Sequence, residues 1–219
     1  MNRSFVAAGV LLVLPVLQAG IAPGAAAQSP GDAGPRFAVV PIAGPTWFGN
    51  RFTAALGSNT IDVKPTTGLA LGGQAEVWIT QRVTLTGMGT WSSLSYRVTG
   101  TAPGDEIRTS GKQQIVRLAG GVILRLRPGV PGYATGGVAV NRVTPGEDVY
   151  LDEEAERNEW GGFAGVGLEL GRGGARLRLE GRSQVSRIST ENASRSEVIF
   201  VPVDWAVDWM LLAGVVFRF

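Results

Sequence analysis

The last fifteen residues, WAVDWMLLAGVVFRF, alternate with period two. Successive side chains of a strand point to opposite faces. Trp205, Val207, Trp209, Leu211, Ala213, Val215, Phe217 and Phe219 therefore share one side. The other side carries Ala206, Asp208, Met210, Leu212, Gly214, Val216 and Arg218, a mixed set with a charge near each end. Eight successive apolar positions on one face exceed what a soluble sandwich strand needs, whereas an apolar band of about 25 Å is a membrane dimension.

Seven earlier segments read as strands, at 36–48, 66–80, 82–96, 113–126, 132–143, 158–171 and 175–188; the closing one covers 203–219. Several alternate cleanly. In the second, Leu69, Leu71, Ala75, Val77 and Ile79 oppose Gly68, Gly72, Gln74 and Glu76. In the fourth, Val116, Leu118, Val122, Leu124 and Leu126 oppose Arg117, Ala119, Gly121 and Arg125. The sixth sets Trp160, Ala164, Val166, Leu168 and Leu170 against Gly161, Gly165, Gly167 and Glu169. The seventh sets Leu177, Leu179 and Val185 against Arg178, Glu180, Arg182 and Gln184. The first and third segments do not declare a register, and a bulge is one expected cause.

Connections alternate in length. Short ones fall at 80–82, 127–129 and 172–174, with turn chemistry, and long ones at about 49–66, 98–112, 143–158 and 188–203. An up-and-down barrel with both chain ends on one side gives this order, with short turns there and longer loops opposite. The predicted fold is all-β: an eight-stranded antiparallel up-and-down transmembrane β-barrel over 28–219, preceded by a cleaved signal peptide over 1–27. The leader is read from Arg3, the apolar run VAAGVLLVLPVL and the small residues Ala25, Ala26 and Ala27. That run is shorter than the roughly 20 residues a spanning helix needs.

With apolar faces toward lipid, the lumen receives Glu76, Arg117, Arg125, Glu169, Arg178, Glu180 and Arg182. Eight strands leave an interior just wide enough for side chains to fill. Four cations against three anions nearly cancel, as buried charges must. A salt-bridged plug is one reading; a narrow polar path for ions or small solutes is the other. Trp78 falls on the same inner face near a turn, where it either caps the lumen or marks a one-residue shift in register. Trp47, Trp91, Trp160, Trp205 and Trp209 lie near outward strand ends, and Phe37, Phe217 and Phe219 near the other rim, as paired aromatic girdles would.

Composition removes most chemistry. The chain has no His and no Cys, so Ser-His dyads, His-based metal sites and thiolate chemistry cannot be assembled. It is read as no enzyme, with no cofactor and no metal centre. Cations number 20 against 18 acids, almost all of them Arg, which gives no argument for nucleic acid. The third long loop gathers Glu147, Asp148, Asp152, Glu153, Glu154 and Glu156. Its first reading is a solvated acidic loop. Its second is a weak divalent-cation site, since carboxylates are hard-oxygen ligands, although the spacing matches no EF-hand. The apolar run VIFVPV at 198–203 is expected to extend the last hairpin above the membrane.

GYATGGVAVNRV, NEWGGFAGVGLELG and the terminal FRF resemble the small bacterial outer-membrane β-barrels of the OmpA/OmpX type and the broader porin-family barrel domain. The resemblance implies a cell outer membrane address in a Gram-negative envelope, contact with outer-membrane lipids and lipopolysaccharide, and a monomer. It also implies that Phe217 and Phe219 form the assembly signal read by the barrel-insertion machinery. It implies a structural or surface-interaction role, with a small porin-like channel as the alternative. A soluble periplasmic ligand-binding barrel stays open too, because alternation alone does not say which face is inside.

Overall fold

The computed structural model describes residues 37–219 except 51, 57–58, 103–104, 127–129, 146–156, 172–174, 189–198 and 203. The leader expected over 1–27, and Glu147, Asp148, Asp152, Glu153, Glu154 and Glu156, lie outside the described residues.

Among the described residues eleven strands form one antiparallel sheet: β1 (Phe37–Trp47), β2 (Phe52–Leu56), β3 (Asn59–Pro65), β4 (Thr67–Trp78), β5 (Val83–Ala102), β6 (Asp105–Arg125), β7 (Gly132–Pro145), β8 (Arg157–Leu170), β9 (Ala175–Arg187), β10 (Ile199–Pro202) and β11 (Trp205–Arg218). Eight of them are staves, in ring order β1-β4-β5-β6-β7-β8-β9-β11. The ring closes where β11 pairs with β1, from Ala38↔Arg218 to Trp47↔Trp209. At this seam the amides of Phe37 and Phe219 donate to each other's carbonyls, and the two rings pack with centroids 6.4 Å apart. Closure removes the sheet edges that an open sheet must expose.

Phe37, Phe219 and the short connections β4–β5, β6–β7 and β8–β9 share one rim, called terminal below. One of these turns is fixed locally: the Thr80 hydroxyl accepts from the amides of Arg82 and Val83 at 3.2 and 3.0 Å. At the opposite, outward rim the long connections carry structure of their own. β5 and β6 run on together as one hairpin to Ala102↔Asp105. β3 adds beside the upper part of β5, β2 beside β3, and β10 beside β2. The expected extension of the last hairpin by VIFVPV is thus corrected. β10 pairs with β2 from the first long connection, because a four-residue strand finds an open ladder there.

Burial settles the inside and outside faces. The staves present a belt of exposed apolar side chains, with Val138 and Val166 at 69 % and 68 % exposed, while the charged and polar positions between them, Glu76, Arg117, Glu169, Arg178, Glu180 and Arg182 among them, are buried. Trp47, Trp91, Trp160, Trp205 and Trp209 all lie on the outward-facing surface. β1 keeps one register along β4, and β5 one register along β6; on its other side β5 shifts by one residue where β4 gives way to β3, between Ala70↔Ser92 and Pro65↔Tyr96. Their periodicity is hard to read because the lumen beside them is itself apolar. Ala38, Val40 and Ile42 of β1 meet Ala70, Met88, Met210, Leu212 and Val216 in one buried cluster.

Glycine decides how closely the staves approach. A Cβ on Gly161 would sit 1.9 Å from the Val185 carbonyl oxygen across the β8–β9 ladder. Backbone cannot yield there as a side-chain tip can, so Gly161→Val is expected to prevent folding. Retention of the unfolded mobility on gel electrophoresis without boiling, after refolding into detergent, would show it. A folded band at wild-type yield would contradict that packing.

Candidate functional site: the lumen charge network

The network begins with strand parity. Arg178, Glu180, Arg182, Gln184 and Ser186 alternate along β9 and all point inward. Glu76 enters from β4, Arg117 and Arg125 from β6, and Glu169 from β8. The structure therefore puts all seven residues expected in the lumen on the inner face. Six are buried; Arg125 keeps 15 % of its side chain exposed near the terminal rim.

Three layers stack along the axis. Nearest the terminal rim, the Arg178 guanidinium forks between Glu76 and Glu169. Arg125 reaches Glu169 at 3.1 Å, and Arg218 of β11 binds the second oxygen of Glu169. Gln74 donates to Glu76 at 2.7 Å. The planar fork of Arg suits such shared carboxylates, and satisfying most lone pairs is what makes buried charge tolerable. Trp78 lies here with the Arg125 and Arg218 guanidinium carbons 5.5 and 5.1 Å from its ring centre. The register is therefore unshifted and Trp78 floors the network.

In the middle layer Arg182 binds Glu180 at 2.6 Å, and Glu180 also accepts the Tyr133 hydroxyl at 2.7 Å. Gly167 makes this possible, since a Cβ there would sit 2.3 Å from the Tyr133 ring. Arg182 also stacks on Phe163 at 4.3 Å and donates to the Met88 sulfur of β5. Such cation–π contacts, desolvated, are worth about 2 kcal/mol.

The third layer, toward the outward rim, is a pair the sequence reading did not assemble. Arg117 binds Asp208 of β11 at 2.8 Å and donates from Nε to Asn141 at 2.9 Å. Asp208 in turn accepts the Gly49 amide at 3.2 Å. Asn141 donates to Ser186 at 3.1 Å and to Glu159 at 3.4 Å. Asp208 and Arg218 stand on the inner face of the closing strand, as its alternation shows. Glu159 lies two residues before Gly161 on the same inner face and is fully buried, although by sequence it belongs with the acidic loop that precedes it.

Two of these contacts cross the lumen. β6 and β11 are opposite staves of the eight, as are β5 and β9. Arg117–Asp208 therefore spans the diameter, and Arg182–Met88 spans it again one layer below.

No protein-family profile and no curated protein matches the sequence. Solved structures do match. The outer membrane protein OprG from Pseudomonas aeruginosa aligns with a TM-score of 0.53 at 9 % identity, over 84 % of this chain and 96 % of that one. The outer membrane protein AlkL, solved in DMPC lipid bilayers, aligns with a TM-score of 0.52 at 13 % identity, over 91 % and 97 %. The fold is that of the small eight-stranded outer-membrane barrels. A belt of exposed Leu, Val and Trp around an ionic lumen is the arrangement of a barrel that spans a membrane. A soluble ligand-binding barrel would need the inverse arrangement.

Proposed function

We propose that this protein serves the outer membrane as a structural and surface-contact barrel whose lumen is plugged by its Arg/Glu network. The observation that carries the reading is the double crossing of the lumen by Arg117–Asp208 and Arg182–Met88, with Arg178, Glu76 and Glu169 knotted beneath them. Barrels of this strand number are filled by their own side chains. To open a path, these groups must leave their partners in a medium of low dielectric, and breaking a buried pair costs about 3–5 kcal/mol. The reading assigns no catalysis to a chain without His or Cys. It takes the N-terminal segment as an export leader and Phe217 and Phe219 as the signal for barrel insertion. Outer-membrane lipid and lipopolysaccharide are its neighbours, and it works as a monomer.

The test is planar-bilayer recording of purified protein. A silent bilayer with wild-type protein is expected, with conductance arising only in an Arg117→Ala, Arg182→Ala double variant that still folds. Reproducible single-channel steps from the wild type would replace the plug with a small porin-like channel.

A further inference from the structure

The charges of the lumen are not evenly distributed along its axis. At the terminal mouth Arg125, Arg176, Arg178 and Arg218 face only Glu76 and Glu169 among the described residues. Arg176 sits on the lumen face of β9 opposite Val216, and it has no carboxylate partner among the described residues.

From this excess we infer that the terminal mouth is a binding site for a small oxyanion of the phosphate class, gripped by Arg125, Arg176 and Arg218 above the Trp78 ring. The Nε atoms of Arg125, Arg176, Arg178 and Arg218, and Nη2 of Arg125, are buried without a hydrogen-bond acceptor. Buried donors of this strength are normally satisfied, and leaving one unmet costs more than an ordinary hydrogen bond returns. Guanidinium groups present paired donors that match the edge of an oxyanion. Trp78 holds the Arg125 and Arg218 guanidinium groups within 5.5 and 5.1 Å of its ring centre, so two of the three cations are positioned before any ligand arrives. The site opens at the terminal rim, since Arg125 and Arg218 keep 15 % and 13 % of their side chains exposed at the mouth. An anion entering there cancels the excess of cations without disturbing the crossings deeper in the lumen. The site therefore does not depend on whether the barrel conducts.

The probe is inorganic phosphate, titrated calorimetrically into the folded barrel in zwitterionic detergent at constant ionic strength set with chloride. Saturable binding is expected for the wild type, and acetate should compete more weakly because it offers one oxygen edge. Arg176→Gln should weaken phosphate by about tenfold or more, the loss of one charge-assisted contact. Since it removes a cation that has no counter-charge, it should also raise the unfolding midpoint when phosphate is absent. Arg187→Gln removes an equal charge from the outer surface and should leave the titration unchanged. Two results would overturn the site: no saturable heat up to about 10 mM phosphate with folded wild type, or equal losses in Arg176→Gln and Arg187→Gln. The second would mean general charge attraction.

Discussion

Glu169→Gln is expected to destabilise the folded barrel by about 3–5 kcal/mol, the cost of leaving buried charge without its partner. The size follows from its place. Glu169 is buried and pairs with Arg125, Arg178 and Arg218, so its loss leaves Glu76 as the remaining carboxylate of that layer among the described residues. A shift of the urea midpoint in lipid vesicles, followed by far-ultraviolet circular dichroism, measures it. Adding Arg218→Gln to the variant should recover part of the loss, because one unpaired cation is then gone and the two sites are in contact. A single variant within about 0.5 kcal/mol of wild type, typical of a surface position, would mean the layer is solvated and the plug is absent.

Val166→Arg should cost about 2–4 kcal/mol, as expected for a cation on the lipid face near the bilayer midplane. Val166 is among the most exposed residues of the belt and lies well inside β8. The same substitution at Leu126, beside a terminal turn, should cost only about 0–1 kcal/mol, because the penalty falls with depth. Vesicle refolding titrations of the two variants supply the comparison. Equal, negligible effects at both positions would place this surface in water and overturn the membrane assignment.

Much of this architecture is legible in the sequence because one face of each stave must suit hydrocarbon. On β4, β6, β8, β9 and β11 the alternation names the lumen residues directly, and burial agrees with it. The signal fades where both faces are apolar. On β1, the inner Ala38, Val40 and Ile42 look no different from the outer Val39 and Ala43. It fades again outside the membrane, where no apolar band imposes a pattern. β2 and β3 are short strands held by ladder hydrogen bonds inside a connection that reads as loop, and β10, legible as extended, pairs with β2 and not with the last hairpin. Asp208 and Glu159 show a third limit. Their inward parity is readable, but pairing Arg117 with Asp208 across the lumen needs the ring order, which alternation along single strands does not contain.

The two aromatic rims have a mechanical consequence. On β11, Trp205 and Phe217 are twelve residues apart on the same outer face, roughly 40 Å of strand and about 30 Å of height at a tilt near 45°. Beside Trp205, Arg187 stands directly between it and Trp160 in the ladder, so one rim sets a cation among its indoles. The molecule thus carries a waterline marked at top and bottom. A thicker or thinner bilayer must stretch or pinch to meet those marks, since a cylinder cross-braced by ion pairs has little freedom to lean.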